Sequence, residues 1–470
     1  MEPTSLAFRE RAAAALDDPV LRTALRRLES GWQQGRARAA AALPEFELLR
    51  DAAVAIKDHV LAHLDLYLEI FERRFTEAGG VVHWARDAAE ARAIALEICR
   101  KAGAKTVTKS KSMVAEEIGL NAFLEANGLT VVETDLGEYI VQLAGEVPSH
   151  LVGPAVHMTR ERIAELFARH HGGAPKNDSA ELVAEARRIL RERYLEAEVG
   201  ITGANFLVAE TGSIVTVTNE GNAELTQGLP RVHLVITGIE KVVPTVEDAF
   251  TLLRLLARSA TGQEFSAYTT FLTGPARPDE RDGPREMHLI LLDNGRSAMV
   301  GGPFREMLRC IRCGACMNHC PVYLAAGGHA YGWVYVGPMG AVLTPQFAGL
   351  ERTWTLPHAS TFCGRCQEVC PVRIPLPKLM RLWREEAHRR RLPPPTARYG
   401  LAAWAFLARR PALYRLVTRL AVRGLGLLGR RRGRFSRLPL AAGWTASRDL
   451  PAPAGVTFHA LWKARQRNRA

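Results

Sequence analysis

Two cysteine runs constrain this chain more than any other feature of its sequence. The first, CIRCGACMNHCP, spans residues 310–321 and has the spacing C-x2-C-x2-C-x3-C-P. The second, STFCGRCQEVCP, spans residues 360–371 and keeps that spacing, except that Ser360 stands in place of its first cysteine. Seven of the eight cysteines lie in these runs, and such clustering favours metal ligation over disulfides. The eighth, Cys99, lies in a helical pattern and is expected to be a buried core thiol.

The spacing of the runs predicts two iron–sulfur clusters that exchange their last ligands. Three cysteines spaced by two residues can hold one cluster from a single loop, and the fourth, before the proline, serves the other cluster. The first set is expected to hold a [4Fe–4S] cluster on four thiolates: Cys310, Cys313, Cys316 and Cys370. The second set has three thiolates: Cys320, Cys363 and Cys366.

Three interpretations of the second set are open. It can hold a [3Fe–4S] cluster, which needs only three thiolates. It can hold a [4Fe–4S] cluster whose last iron takes Ser360, water or another residue, or a partner subunit can supply the fourth ligand. We favour the four-iron cluster with a non-cysteine ligand. Zinc is the alternative metal, but zinc motifs rarely place four thiols in one such run and then repeat it.

The basic character of the chain is confined to its C-terminal end. The whole chain has a formal charge of +13, yet residues 387–470 hold nineteen Lys and Arg against one acid, Asp449. This distribution argues against a nucleic-acid binder and for a C-terminal contact surface. The tail segment RYGLAAWAFLARRPALYRLVTRLAVRGLGLLGRRRGR is amphipathic. It is expected to dock a partner, to lie on an anionic membrane surface, or to pack on its own domain.

The sequence also bears on where the protein is expected to act. It has no run of about 18 uncharged apolar residues, so no transmembrane helix is expected. The stretch MEPTSLAFRERAAAALDD carries acids and arginines where a signal peptide has an apolar core. A cytoplasmic protein is therefore expected, peripheral at the inner membrane face if the basic tail binds lipid.

The pattern of apolar residues predicts an α/β protein with four regions. These are a helical segment over 1–78, a mixed-sheet α/β domain over 79–300, an α-helical, ferredoxin-like two-cluster domain over 301–385, and a basic helical tail over 386–470. Within the second region, SMVAEEIGLNAFLEANG is predicted to form one helix and EYIVQLA a strand. GANFLVAETGSIVTVTN is predicted to form a hairpin that turns at Glu210, Thr211 and Gly212.

Taken together, these segments resemble the lactate utilization protein B family. The resemblance rests on CIRCGACMNHCPVY, GGHAYGW, GPMGAVLTP and CGRCQEVCPVRIPL, and upstream on KTVTKSKSMVAEEIGLN, TDLGEYIVQLAGEVPSHLV and GITGANFLVAETGSIVTVTNEGN. It covers nearly the whole chain and is loosest in the tail. It implies an iron–sulfur subunit of a three-protein system that oxidises L-lactate to pyruvate. It also implies an α/β domain similar to the sugar-phosphate isomerase and CoA-transferase fold, and a second cysteine run that usually lacks its first cysteine.

Other candidate sites have weaker patterns. Lys105, Lys109 and Lys111 surround a strand-to-helix junction that can bind an anion, unless Ser112 simply caps the helix there. Glu210, by analogy with CoA-transferase-like folds, is a candidate nucleophile for acyl transfer. No phosphate-binding, nicotinamide or flavin motif is found. Four histidines are expected to be core or solvated residues and not metal ligands: His150, His157, His170 and His171.

The leading hypothesis is an electron-transfer subunit that works with the other lactate utilization proteins. Electrons from the substrate pass through two clusters to a further acceptor. Two alternatives belong to other functional classes. One is a regulatory or scaffolding protein whose clusters sense oxygen or iron, and the other is an independent acyl-transfer enzyme that uses the α/β pocket.

Overall fold

Ten strands between residues 81 and 292 divide into two sheets. In chain order they are β1 (Val81–Ala85), β2 (Thr106–Lys109), β3 (Thr130–Glu133), β4 (Val199–Thr202), β5 (Phe206–Val208), β6 (Ser213–Thr218), β7 (Val232–Gly238), β8 (Val242–Val243), β9 (Tyr268–Leu272) and β10 (Glu286–Leu292). The larger sheet is parallel throughout, in the order β1–β10–β7–β4–β2–β3. The smaller has the order β8–β5–β6–β9 and mixes parallel and antiparallel pairs.

This computed structural model describes residues 2–438, 444–445 and 448–468, so parts of the predicted tail at 439–443, 446–447 and 469–470 lie outside the described residues. The chain divides into two compact units, residues 1–387 and 388–470. Both sheets and all the cysteines belong to the first unit.

Five helices precede the first strand: α1 (Phe8–Asp17), α2 (Pro19–Leu28), α3 (Gln34–Ala41), α4 (Phe46–Ala62) and α5 (Leu64–Glu77). Eight more lie between strands: α6 (Ala88–Lys101), α7 (Met113–Glu117), α8 (Leu120–Ala126), α9 (Leu136–Leu143), α10 (Arg160–His171), α11 (Ser179–Glu196), α12 (Asn222–Gly228) and α13 (Val246–Ala260). Their starts follow from local chemistry. Asp87 accepts from the first amides of α6, and Thr245 and Asp248 form a capping box on α13.

The cysteine region is built from short helices. They are α14 (Arg296–Val300), α15 (Ala315–Asn318), α16 (Pro321–Ala326), α17 (Gly337–Ala348), α18 (Arg365–Glu368) and α19 (Leu376–Arg389). Single 3-10 turns occur at Ser5–Ala7, Ile239–Lys241, Arg305–Arg309, His329–Tyr331, Leu350–Arg352 and Leu356–His358, and a π turn at Glu29–Gln33.

The larger sheet is buried on both faces, as a parallel sheet must be. On β7, Leu234 and Ile236 face a core built with α6, α7 and α8, whereas Val235 faces α5 and the smaller sheet. Cys99 belongs to the first of these cores and is fully buried, so the expected core thiol is confirmed. Burial raises the pKa of the Cys99 thiol to about 12.

The order of strands in the larger sheet reverses between β2 and β4. From β2 the chain moves outwards to β3 at one edge, and then β4, β7 and β10 extend step by step on the other side of β2. In open parallel sheets, ligands bind in the crevice outside the carboxyl ends of the strands at such a reversal. The segments 110–112 and 203–205 lie there.

The α/β class and the hairpin at Glu210 are confirmed, but three expectations are wrong. The strands form two sheets and not one mixed sheet. EYIVQLA is helical, within α9, because Asp135 caps the helix and its apolar residues pack on α10 and α11. The predicted helix over SMVAEEIGLNAFLEANG is divided in two at Gly119, whose φ of 65° is left-handed.

The described residues of the second unit form three helices, α20 (Pro395–Ala408), α21 (Pro411–Gly429) and α22 (Phe458–Arg467), and a two-stranded ladder of β11 (Arg434–Phe435) and β12 (Leu450–Pro451). Several large apolar side chains of its helices are exposed, among them Trp404, Leu427 and Leu428. Within the described residues, no helix is both long enough and apolar enough to cross a membrane.

Candidate metal centre

The N-terminal helices hold the second cysteine run in place. The Arg50 guanidinium donates to the carbonyl oxygens of Glu368 and Cys370, at 2.7 and 2.8 Å. Arg36 donates to the carbonyl oxygen of Val369 at 3.0 Å. These contacts satisfy backbone acceptors at the end of α18, where an apolar partner could not. The helical segment therefore serves the cysteine region as well as the sheet.

Each cysteine run turns at a glycine directly after a cysteine. Gly314 has a φ of 76° and precedes α15, and Gly364 has a φ of 82° and precedes α18. L side chains rarely adopt this left-handed backbone, so glycine is favoured at both positions. The turns allow three cysteines of a run to approach one centre.

Four thiols from the two runs line one small cavity: Cys310, Cys313, Cys316 and Cys370. Burial, and next the charge of Cys370, raises the pKa of the Cys313 thiol. Burial also raises the pKa of Cys370, to about 11. Thiolates crowded in a buried site repel one another, and iron bound between them would offset that cost.

The other three clustered thiols form a second group: Cys320, Cys363 and Cys366. Burial, and next the charge of Cys320, raises the pKa of Cys366 to about 12, and Cys363 adds to that rise. Burial raises the pKa of Cys320, where Cys363 again adds to the rise. Each group therefore combines cysteines of both runs, and each contains the last cysteine of the other run.

The sulfurs lie too far apart for one tetrahedral zinc ion. In a tetrahedral site with Zn–S bonds of about 2.3 Å, the sulfurs lie about 3.8 Å apart. Among the described residues, which include all the cysteines, no three of these sulfurs lie within 4.8 Å of one another. A cube of iron and sulfide holds its thiolates further apart than a single ion does. No disulfide joins any of the eight cysteines.

Donors are in place around both thiol groups. The amide of Ile374 donates to the Cys370 Sγ at 3.4 Å, and the amide of Ala315 donates to Cys313. The Tyr331 hydroxyl is fully buried and has no hydrogen-bond partner among the described residues. Burial, and then the charge of Cys320, raises its pKa, with smaller contributions from Cys316 and Cys366. The thiols that act on this orphaned donor belong to both groups, and the sulfur of a bound cluster would accept a hydrogen bond from it.

Ser360 begins the second run on a partly exposed loop. Its hydroxyl accepts a hydrogen bond from the amide of Phe362 at 3.1 Å. Cys363 is the most exposed of the clustered thiols. One thiol of the second group is therefore open to solvent, while the other two, Cys320 and Cys366, are buried.

A network of buried charges lies against the first thiol group. Arg296 is fully buried and donates to Glu117 at 2.7 Å and to Glu240 at 2.8 Å. The other oxygen of Glu240 is 3.4 Å from Arg312, which stands between Cys310 and Cys313 in the chain. The Lys57 ammonium donates to the Glu240 carbonyl oxygen at 2.6 Å. The sequence analysis did not find these residues, because their spacing along the chain gives no signal.

The three lysines near β2 do not form the expected anion site. Lys109 is buried between Glu116 at 2.9 Å and Glu133 at 2.8 Å. Lys111 pairs with Asp135 at 3.1 Å, and Lys105 is exposed. Two of the three ammonium groups are thus already neutralised within the protein. Ser112 caps α7, as predicted by the alternative to an anion site at this junction.

Glu210 has a structural contact and is exposed to solvent. Its carboxylate accepts a hydrogen bond from the amide of Val246 at 3.1 Å, at the start of α13. This contact gives no support to a nucleophilic role.

His150 is a core residue, with Asn318 at 2.8 Å from its Nε2. His157 lies between Ser149 and Glu146, His171 between Tyr139 and Glu185, and His170 is exposed.

Comparison with known proteins agrees with this architecture. The LUD domain family matches residues 68–292, a 4Fe-4S dicluster domain family matches residues 306–374, and the family of the lactate utilisation protein B C-terminal region matches residues 389–467. Lactate utilization protein B of Lysinibacillus sphaericus is 41% identical over 99% of this chain and 98% of its own length. The chain belongs to the lactate utilization protein B family.

Further relatives and one solved structure are similar to this chain. Lactate utilization protein B of Geobacillus kaustophilus is 42% identical over 98% of this chain and 97% of its own length. An uncharacterized electron transport protein of Escherichia coli K12 is 39% identical over 98% of this chain and 97% of its own length. A DUF162 family protein from Deinococcus radiodurans covers 49% of this chain and 98% of its own, at 14% identity and a TM-score of 0.29.

Proposed function

We propose that this chain is the iron–sulfur electron-transfer subunit of a system that oxidises L-lactate to pyruvate. The observation that carries the proposal is the separation of seven thiols into a group of four and a group of three, each drawn from both runs. Two neighbouring clusters can accept, one electron at a time, the two electrons that leave a hydroxy acid when it becomes a keto acid.

The ligand sets of the proposal follow the two thiol groups. The first holds a [4Fe–4S] cluster on Cys310, Cys313, Cys316 and Cys370. The second holds a cluster on Cys320, Cys363 and Cys366, and a four-iron cluster there takes a non-cysteine fourth ligand, with Ser360 as the candidate. The proposal keeps the four regions of the sequence analysis, 1–78, 79–300, 301–385 and 386–470, and a fold related to sugar-phosphate isomerases and CoA transferases for residues 79–300.

The basic tail is the proposed contact surface for the partner proteins. Exposed Trp404 and Leu428 lie among arginines on α20 and α21, and aromatic residues with arginine are typical of interface centres. An anionic lipid surface at the cytoplasmic face of the membrane is the alternative contact. Replacing Trp404 and Leu428 by serine should weaken co-purification with the partner proteins and leave iron content unchanged. Leu195→Ser, which changes an exposed leucine on α11 of the first unit, is the matched control and should leave co-purification unchanged.

The proposed function is tested by reduction of the clusters under anaerobic conditions. The full chain, combined with the other two lactate utilization proteins, is mixed with L-lactate and examined by low-temperature EPR before and after dithionite. We expect L-lactate to produce the same reduced signals as dithionite, and D-lactate to produce much weaker ones. Iron absent from anaerobically purified protein, or clusters that dithionite reduces but L-lactate never does, would contradict the proposal.

A further inference from the structure

A cleft follows the reversal of strand order in the larger sheet. Its walls are the segments after β2 and β4, residues 110–112 and 203–205, together with Thr237 at the end of β7 and Lys241 beyond it. Two adjoining cavities of about 140 and 210 Å³ make up the cleft and share Ser110, Lys111 and Asn205. The smaller cavity, which Lys241 lines, lies well below the roughly 300–1,000 Å³ of pockets for drug-sized ligands. The space therefore suits a small molecule.

The same cleft reaches the first thiol group. Arg312 lines both cavities, and Cys313 lines the second. Arg312 lies between two cysteines of that group in the chain, and the charge of Cys310 raises the pKa of its guanidinium. A molecule in the cleft would thus share a wall with the first metal centre.

Two polar groups in the wall of the cleft have no partner within the protein. Lys241 is 7% exposed, and its ammonium makes no hydrogen bond or ion pair with any described residue. Thr237 is 1% exposed, and its hydroxyl also lacks a hydrogen-bond partner among them. Burying an unpaired ammonium or hydroxyl costs free energy unless a bound molecule forms an ion pair or hydrogen bond with it.

The charges around Lys241 leave room for an anion. Both oxygens of Glu240 are occupied, by Arg296 and Arg312, and Glu117 is held by Arg296 and Tyr335. Glu240 attracts the Lys241 ammonium through space, but its carboxylate bonds the two guanidinium groups and makes no ion pair with Lys241. Burial, and next the charge of Arg312, lowers the pKa of Lys241 to about 7, although the charges of Glu240 and Cys310 oppose the shift.

The cavity lined by Lys241 is called the inner end of the cleft, and the cavity lined by Cys313 is called the outer end; the two differ in charge. At the outer end Lys111 is already paired with Asp135, and Glu220 accepts from the amide of Leu136. The carboxylates of Asp135 and Glu220 would repel an anionic ligand at this end. An anionic ligand is accordingly favoured only at the inner end.

We propose that the inner end of this cleft, at Lys241, Thr237 and Arg312, binds a small carboxylate of the 2-hydroxy or 2-oxo acid class. The carboxylate pairs with the two cations, and the oxygen on the second carbon meets the Thr237 hydroxyl. The choice of acid rests on the proposed function. The site itself rests on the buried, unpartnered groups and on their place at the strand reversal.

The proposal is tested by ligand binding to the full chain with its clusters in place. Binding of oxamate and L-lactate is measured by anaerobic calorimetry, with neutral lactamide as the matched probe. Lys241→Gln should weaken oxamate binding about tenfold or more, since it removes a charge-assisted contact. Lys105→Gln removes the same charge from an exposed lysine outside the cleft and should leave binding unchanged.

A second variant keeps the test sharp if Lys241→Gln does not fold. Thr237→Val preserves shape, and it should weaken binding of L-lactate several-fold while leaving binding of propionate, which lacks the hydroxyl, unchanged. Iron content of each variant shows whether the metal centres are intact.

The outcomes separate this site from the proposed function. The site would be overturned if wild type and Lys241→Gln bind oxamate equally, or if neither binds it. A shift in the potential of the first cluster in Lys241→Gln would not rescue the site in either case. In that case L-lactate can still reduce the clusters of the complex, and the proposed function stands. Conversely, Lys241-dependent binding of oxamate without reduction by L-lactate supports the site and overturns the function.

Discussion

Arg312 and Phe362 hold equivalent positions in the two cysteine runs and share one backbone conformation. Each directly precedes the second position for a cysteine ligand, and their φ angles are 60° and 57°. Left-handed backbone is uncommon for residues with a side chain, so its occurrence at both sites shows that the loops have the same shape. Ser360 therefore begins its loop as Cys310 begins the first, with a hydroxyl in place of a thiol.

Ser360→Cys is expected to complete the second ligand set. The variant should contain about eight irons per chain and show no signal of a three-iron centre in the oxidised protein, because four thiolates then surround each site. Iron analysis and EPR of anaerobically purified protein provide the measurement. Ser179→Cys is the matched control. It adds a thiol at an exposed position at the start of α11, far in sequence from both cysteine runs, and should not change iron content.

Cys370→Ala is expected to damage the first cluster, although Cys370 belongs to the second run. It lines the same cavity as Cys310 and Cys313, so the first site loses one of four thiolates. EPR of the reduced protein should show the first cluster's signal lost or altered and the second cluster's signal retained. Cys99→Ala, which removes a core thiol, should retain both signals. Selective loss of the second cluster in Cys370→Ala would contradict the exchange of ligands.

Tyr331→Phe is expected to make at least one cluster harder to reduce. The variant removes a buried hydroxyl whose neighbours include Cys320 and Cys316 and leaves the ring in place. One hydrogen bond of about 1 kcal/mol corresponds to a shift of roughly 40 mV for a single electron. Redox titration monitored by EPR measures the two midpoint potentials. Tyr323→Phe is the matched control, because the Tyr323 hydroxyl already donates to the Ser149 carbonyl oxygen at 2.8 Å. Unchanged potentials in Tyr331→Phe would show that its hydroxyl does not donate to cluster sulfur.

Arg296→Met is expected to destabilise the first unit strongly. It leaves Glu117 and Glu240 buried without their shared cation, and breaking a buried ion pair costs about 3–5 kcal/mol. Denaturant unfolding followed by circular dichroism measures the change. Arg193→Met removes a cation from an exposed pair with Glu196 and should cost no more than about 1 kcal/mol. Similar losses in both variants would show that the buried network contributes little.

His233 is expected to make stability fall as the pH falls below about 6.5. Burial lowers its pKa to about 3, and its Nε2 lies 2.8 Å from the Thr202 hydroxyl. Between about pH 6.5 and pH 3, His233 is protonated in the unfolded chain but neutral in the folded chain. Acid therefore favours unfolding in this range. From pH 7 to pH 5 this costs about 2 kcal/mol. Comparison of unfolding free energies of wild type and His233→Asn at the two pH values should show a smaller loss in the variant by that amount.

The cysteines of the candidate metal centre could be proposed from the sequence because cysteine spacing is a local property. A loop with C-x2-C-x2-C-x3-C-P needs no distant information to bring three thiols together, and the proline directs the fourth away. Secondary structure was less predictable where local patterns were ambiguous. EYIVQLA has a residue composition that suits a strand, yet Asp135 caps it as a helix and neighbouring helices bury its apolar side.

The sequence alone determined the family, the α/β class and the cysteine residues that gather into the two thiol groups, because motifs and apolar periodicity are written along the chain. Only the tertiary structure decided which charges meet. Nothing in the sequence distinguishes Lys109 and Lys111 from Lys241. In the structure, Lys109 and Lys111 form ion pairs with carboxylates, whereas Lys241 is buried and forms none. Pairing and burial depend on elements far apart in the chain, so their energies appear only once the sheet has formed.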